Sequence, residues 1–200
     1  MKRSSTSRTT KDRIIKATLD IISGEGFQNV TIRKIAAMAG VNVAAVNYHF
    51  GSKDAVINEA LNMVTLLLEE TFRCLRADDL DPEARLACFV RQYSRVILEY
   101  PDIIRNFISQ SLHKNSVKIE YQEYLKNEGI VLISGTIAQI RPEESRTVHY
   151  MRSLQLLSSL SFPILMGERI QEITGLELDN PELSNEYIEL LLQSIVRSRE

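Results

Sequence analysis

Apolar positions along this chain recur at steps of three and four, the spacing of one face of an α-helix. Ile15, Leu19 and Ile22 give a first helix its inward stripe. Thr9 or Thr10 caps it, with Thr9 and Asp12 at capping-box spacing, and Gly24 and Gly26 end it. Phe27 and Val30 are expected to plug the base of a small helical head. Thr31 caps a second helix with Ile32, Ile35, Ala36 and Ala39 on its inner face. Gly40 stops that helix, because it tolerates the left-handed backbone of a sharp reversal. Asn42 caps a third helix, in which Val46 and Phe50 form an inward i, i+4 pair, and Gly51 ends it. Ser52 opens a long fourth helix whose stripe is Ile57, Leu61, Val64, Leu68, Phe72 and Leu75. It fades in an acidic loop at 76–81. Its first turns belong with the head and its later turns need another partner, so it is expected to connect two domains.

The pattern continues with less punctuation. Asp81, Pro82 and Glu83 start a helix to about Glu99, and Tyr100, Pro101 and Asp102 start a shorter one to about His113. After a turn at Lys114, Asn115 and Ser116, a long helix runs to Ile140, with Gly129 and Gly135 lowering its propensity and allowing close approach. Arg141 to Glu144 is expected to open the next helix, which Pro163 kinks or splits. Asn180, Pro181 and Glu182 open the last, ending near Ser198. No segment alternates with period two, so the fold class is all-α: a three-helix head joined by a long helix to a C-terminal helical bundle. Three regions follow: a polar, basic arm at 1–9, a head at 10–70 and a body at 71–200.

Helix, glycine-containing turn and helix at about 31–50 is the helix-turn-helix layout, whose second helix enters the DNA major groove. The string T-I-R-K-I-A-x-x-A-G-V, followed by Y-H-F-G-S-K-D, resembles the DNA-binding domain of the tetracycline-repressor (TetR) family of bacterial regulators. The resemblance covers roughly residues 9 to 60; beyond residue 75 only the order of helices is similar.

Charge agrees with that layout. Residues 1–60 hold nine Lys and Arg against five Asp and Glu, a net +4; the rest hold fifteen against twenty-one, a net −6. A basic head on an acidic body is the electrostatic footprint of a DNA-binding domain with a regulatory body. Lys2, Arg3 and Arg8 place charge in the arm, which either reaches DNA or is a solvated tail. The chain has no run of eighteen apolar residues, so no membrane partner is expected. No apolar segment follows the basic N-terminus as it would in a secretory signal, and a cytoplasmic location is expected. Cys74 and Cys88, the two cysteines, are expected to be reduced thiols packed in helices.

Candidate DNA contacts lie away from the Val46–Phe50 face. Val43, Ala44 and Ala45 let the backbone approach the groove floor and suit thymine methyls. Asn47 suits bidentate contact with adenine, or else phosphate or water. Tyr48, Lys53 and Thr31 are assigned to phosphate, the last two because helix N-termini favour anions. Arg33 and Lys34 suit a base edge, a phosphate or plain solvation. The chain departs from the family pattern at Asn47, where members most often carry Tyr; the aromatic here is Tyr48, so the operator preference of a typical member does not carry over. His49 is expected to pack within the head and bond to backbone.

His49, His113 and His149 form no metal-binding or catalytic spacing, and no phosphate loop, G-x-S-x-G or Cys-x-x-Cys occurs. No enzyme activity, metal or cofactor is expected. The resemblance implies instead a homodimer bound to a double-stranded DNA operator, with a body that takes a small molecule. It places dimerisation on the helices at about 143–169 and 182–198, with apolar sets Met151, Leu154, Leu157, Ile164 and Leu183, Tyr187, Leu190, Leu191, Ile195. It places a pocket among Tyr93, Phe107, Gln110, His113, Tyr121, Tyr124, Met151 and Gln155. Aromatics with few charges suit an apolar or amphipathic ligand. The function implied is a repressor released from a palindromic operator by that ligand. The alternative is a ligand-independent regulator or assembly module with a packed body.

Overall fold

Each helix of the first sixty residues begins where a short polar side chain can accept the backbone N–H groups that the helix leaves free. The computed structural model describes residues 9–111, 120–178 and 180–196. Thr9 caps α1 (Thr10–Glu25) in a reciprocal capping box with Asp12. Thr31 caps α2 (Ile32–Ala39), Asn42 caps α3 (Val43–Phe50), and the Ser52 hydroxyl accepts from Ala55 N at 3.2 Å at the start of α4 (Lys53–Thr71). Among the described residues no strand occurs, and the fold is all-α. The chain divides into two compact units, Met1–Val64 and Thr65–Glu200. The expected arm at 1–9 lies, Thr9 apart, outside the described residues.

The core of the first unit is Ile14, Ile15, Leu19, Ile21, Ile22, Val30, Ile35, Ala36 and Val46, all buried. Phe27 is only half-buried, in a 3-10 turn at Phe27–Asn29; Val30 alone is the full plug. The stripe of α4 also differs from expectation at its start. Val56 and Ala60 are the buried positions and Ile57 and Leu61 are half-buried. The buried line at 56, 60, 64, 68 and 72 keeps strict steps of four.

In the second unit, α4 gives way to a 3-10 turn at Phe72–Arg76, and α5 (Pro82–Glu99) follows with Asp81 as its cap. Next come α6 (Pro101–Ser111), α7 (Glu120–Tyr124), α8 (Ile130–Ile140), α9 (Arg146–Met166), α10 (Glu168–Thr174) and α11 (Pro181–Val196). The turn expected at 114–116 lies outside the described residues. The helix expected to run unbroken to Ile140 widens to a π-turn at Leu125–Gly129. Gly129 is the reason a ring fits there: a Cβ on it would stand 3.0 Å from the Phe72 ring. Phe72 in turn packs on Phe89 and Tyr124, with ring centroids 4.7 and 5.2 Å apart.

The helix expected from Arg141 starts later, at Arg146 under a Ser145 cap. Arg141 is instead a buried tie. Its Nε donates to Ile195 O at 3.1 Å, and its carbonyl bonds the His149 ring at 2.8 Å, joining α8, α9 and α11. Pro163 lies within α9 without ending it. Lacking an N–H, it frees the Ser159 carbonyl four residues back. The Tyr187 hydroxyl of α11 donates to that carbonyl at 2.7 Å.

Candidate nucleic-acid interface

A recognition helix needs a fixed inner face and a bare outer one. The inner face of α3 is Val46, fully buried, with Phe50 half-buried behind it. The turn before it is closed by a pair of backbone bonds. Val41 N donates to Ala36 O at 2.9 Å and Gly40 N to Ala37 O at 3.2 Å, with Gly40 at φ +64°. That reversal requires a left-handed residue, which glycine supplies without a Cβ clash. The Asn42 carboxamide then accepts from Ala45 N at 2.7 Å.

Arg13 was not among the sequence candidates, yet it ties α1 to this turn. Its guanidinium donates to Ala39 O at 2.5 Å and Gly40 O at 3.0 Å. A cation at the negative end of α2 is favourable, but nothing in the spacing of Arg13 marks that role. Lys11 pairs with Glu59 at 2.5 Å and lies 5.8 Å from the Phe50 ring centroid, which ties α1 to both α3 and α4.

The outer face carries the sequence candidates. Val43, Ala44, Asn47 and Tyr48 are exposed and Ala45 is half-buried. Tyr48 is 87 % exposed, a large ring left in the open beside Asn47. Lys53 and Arg33 are exposed as well. Thr31 is exposed but its hydroxyl accepts from Lys34 N, and Lys34 is ion-paired with Glu25. His49 is exposed between the Tyr48 and Phe50 rings, not packed within the head as expected. It lies one turn on from Val46, at the exposed edge of that column.

The bacterial regulatory proteins of the tetR family match residues 14–60, a span from within α1 through α2 and α3 into α4. The transcriptional regulator RutR of Escherichia coli is 23% identical over 98% of this chain and 92% of its own. The transcriptional repressor NicS of Pseudomonas putida is 29% identical over 52% of this chain, and the match spans half of NicS. The solved structure of the ketosteroid transcriptional regulator KstR2 of Mycobacterium tuberculosis superposes with a TM-score of 0.69 at 16% identity, covering 98% of this chain and all of that one. The chain carries the DNA-binding domain of the tetR family of bacterial regulatory proteins. It is a DNA-binding transcriptional regulator with a helix-turn-helix head and a helical body.

Within the body, four of the pocket candidates come together. The Tyr93 and Tyr121 hydroxyls are buried 2.6 Å apart, Phe107 stacks on Tyr121, and Tyr124 meets Phe72. Burial pushes Tyr93 up to about 12 and Tyr121 well above the ordinary phenol value, so both stay neutral. Met151 and Gln155 are elsewhere, exposed on α9. His113 and the side chain of Gln110 lie outside the described residues. A separate cleft of about 30 Å³ opens among Ser94, Ile97, Leu160, Pro163, Tyr187 and Ile188. None of the pocket candidates lines it, and it has room for little more than a water. Among the described residues no cluster of His, Cys, Asp and Glu is suited to a metal ion, and no helix is long and apolar enough to cross a membrane.

Proposed function

We propose that this chain is a homodimeric repressor of the TetR family that leaves a palindromic operator when a small molecule enters its body. Residues 10–70 serve as the DNA-binding domain and 71–200 as the ligand-binding and dimerisation domain. The observation that carries the dimer is α9. One face of it, Leu156 and Leu160, is buried. The opposite face is apolar too: Met151, Leu154, Phe162 and Leu165 are exposed and fall at steps of three, eight and three, one column of a 3.6-residue helix. Leu190 adds an exposed apolar position on α11. An apolar column of that length on a water-facing helix is the mark of a protein partner. A second copy supplies the second head that an operator-specific complex needs.

The DNA contacts in this reading are Asn47 and the small residues Val43, Ala44 and Ala45 for base edges. Tyr48, Lys53, Arg33 and Thr31 serve phosphates, with Lys34 released from Glu25 when it joins them. The body's ligand is apolar or amphipathic and replaces ring contacts around Tyr93 and Tyr121. α4, which starts at the head and continues into the body, carries the change. A ligand that weakens DNA binding a hundredfold binds the DNA-free state about a hundredfold better, ~2.7 kcal/mol of coupling.

The ring packing around Phe72 also supports a second reading, a regulator whose body is filled and needs no ligand. Sedimentation of the wild type and of Leu154→Glu with Phe162→Glu tests the dimer. The wild type is expected as a dimer at micromolar concentration and the variant as a folded monomer. A wild-type monomer, or a variant that stays dimeric, removes α9 as the interface. A ligand that binds equally with and without operator removes induction and leaves the second reading.

A further inference from the structure

The two cysteines, expected as independent thiols, are joined in the structure. Cys74 lies in the 3-10 turn that follows α4, Cys88 in the second turn of α5, and their Cα atoms are 5.7 Å apart, the ordinary span of a disulfide. We propose that Cys74 and Cys88 are a reversible thiol–disulfide site, closed by low-molecular-weight disulfides and opened by thiols, whose closing clamps the turn at Phe72–Arg76 onto α5.

The two sulfurs differ in a way that sets the order of steps. Cys74 is buried, whereas Cys88 is half-buried. The Gln92 carboxamide, one turn on, points its N–H at the Cys88 sulfur at 3.5 Å, a donor that favours the thiolate. Cys88 therefore attacks first. Its thiolate takes one sulfur of the small disulfide, forming a mixed disulfide and releasing one thiolate. The Cys74 thiolate then attacks the Cys88 sulfur and expels the second. Two protein thiols are oxidised, one small disulfide is reduced to two thiols, and the two protein protons end on those thiols. Excess small thiol reverses both steps.

The place of the bond gives it an effect. Without it, the turn is held to α5 by the Phe72 and Phe89 rings and by Arg85, whose guanidinium reaches Leu75 O at 3.5 Å. Arg85 Nε has no hydrogen-bond partner, so this polar tie is incomplete. The Arg76 and Glu128 pair at 2.6 Å fastens the same turn to the π-turn, but both side chains are about half exposed, and such pairs add little. A covalent link across fourteen residues removes the freedom that these contacts leave. A paired cysteine set is a constitutive staple in an oxidising compartment; in a reducing one it is a transient, redox-sensing bond.

The test uses the full chain in glutathione buffers of stepped ratio, quenched with an alkylating agent and read by mass spectrometry, with hydrogen exchange on the end states. The expected result is an intramolecular Cys74–Cys88 bond that forms with excess glutathione disulfide and is lost with excess glutathione. Amides at 72–80 are expected to open on the order of a hundredfold less often in the closed state. Thiols that both stay alkylatable under glutathione disulfide overturn the proposal. So does a bond that glutathione cannot open in the folded protein, or one that leaves exchange at 72–80 unchanged. Cys88→Ser is expected to abolish the exchange difference while Cys74 remains slow to alkylate. A Cys74 that alkylates as fast as an exposed thiol in that variant counts against the assigned order of attack.

Discussion

In the head, Thr9, Thr31, Asn42 and Ser52 each hold the first free N–H groups of the helix they precede, and Gly26, Gly40 and Gly51 turn the chain at positive φ where helices end. In the body, the decisive contacts cross between helices far apart in sequence. Phe72 meets Tyr124 and Gly129, Arg141 meets Ile195, and Tyr187 meets the carbonyl that Pro163 frees. The helix starts of the head are set by residues three apart, with Arg13 and Lys11 adding ties from α1, whereas these body contacts join residues 28 to 54 or more apart. The head is therefore expected to be sensitive to caps and the body to volume.

The comparison breaks most visibly at Phe72. Its ring is fully buried, and Phe72→Ala is expected to destabilise the body by about 3–5 kcal/mol. Urea-dependent hydrogen exchange of body amides reads this; a loss under ~1 kcal/mol would mean the aromatic cluster is not the body's anchor. Gly129→Ala tests the same contact from the other side. The added methyl meets Phe72 and Leu125 at 3.0 Å, and overpacking is expected to cost about 1–3 kcal/mol. A neutral result would show that the π-turn relaxes freely. In the head, Asn42→Ala removes one cap and is expected to cost about 1 kcal/mol, seen in exchange at the first turn of α3. An Asn42→Ala loss as large as that of Phe72→Ala would erase the distinction between the units.

That distinction also explains what the sequence made legible. The caps and glycines of the head are local signals, so α1, α2 and α3 and the turn at Gly40 could be placed from residues alone. Where the head was misread, the residue lay at an edge: Phe27 and His49 are apolar enough to suggest a core but stand at the rim. The outer face of α3 followed by exclusion from the Val46 column. In the body, the π-turn at Leu125–Gly129 depends on a ring fifty residues away, and the late start of α9 depends on Arg141 reaching α11. The pairing of Cys74 with Cys88 depends on how the turn after α4 folds back on α5. None of these leaves a periodic trace. Met151 and Gln155 were grouped with Tyr93 and Tyr121 on the family's layout, but the turn of α9 carries them to its exposed side.

The central claim is that two copies of this head read DNA through the outer face of α3. Selection of binding sites from random DNA, run with the wild type and with Asn47→Ala, tests it most directly. The wild type is expected to select a two-fold symmetric sequence with half-sites about one helical turn, ~34 Å, apart. Asn47→Ala is expected to lose preference at one base pair in each half-site, at a cost of roughly 1–3 kcal/mol there. A single asymmetric site, or no enriched sequence, would contradict the dimeric reading of an operator; an unchanged pattern with Asn47→Ala would move base recognition off that residue.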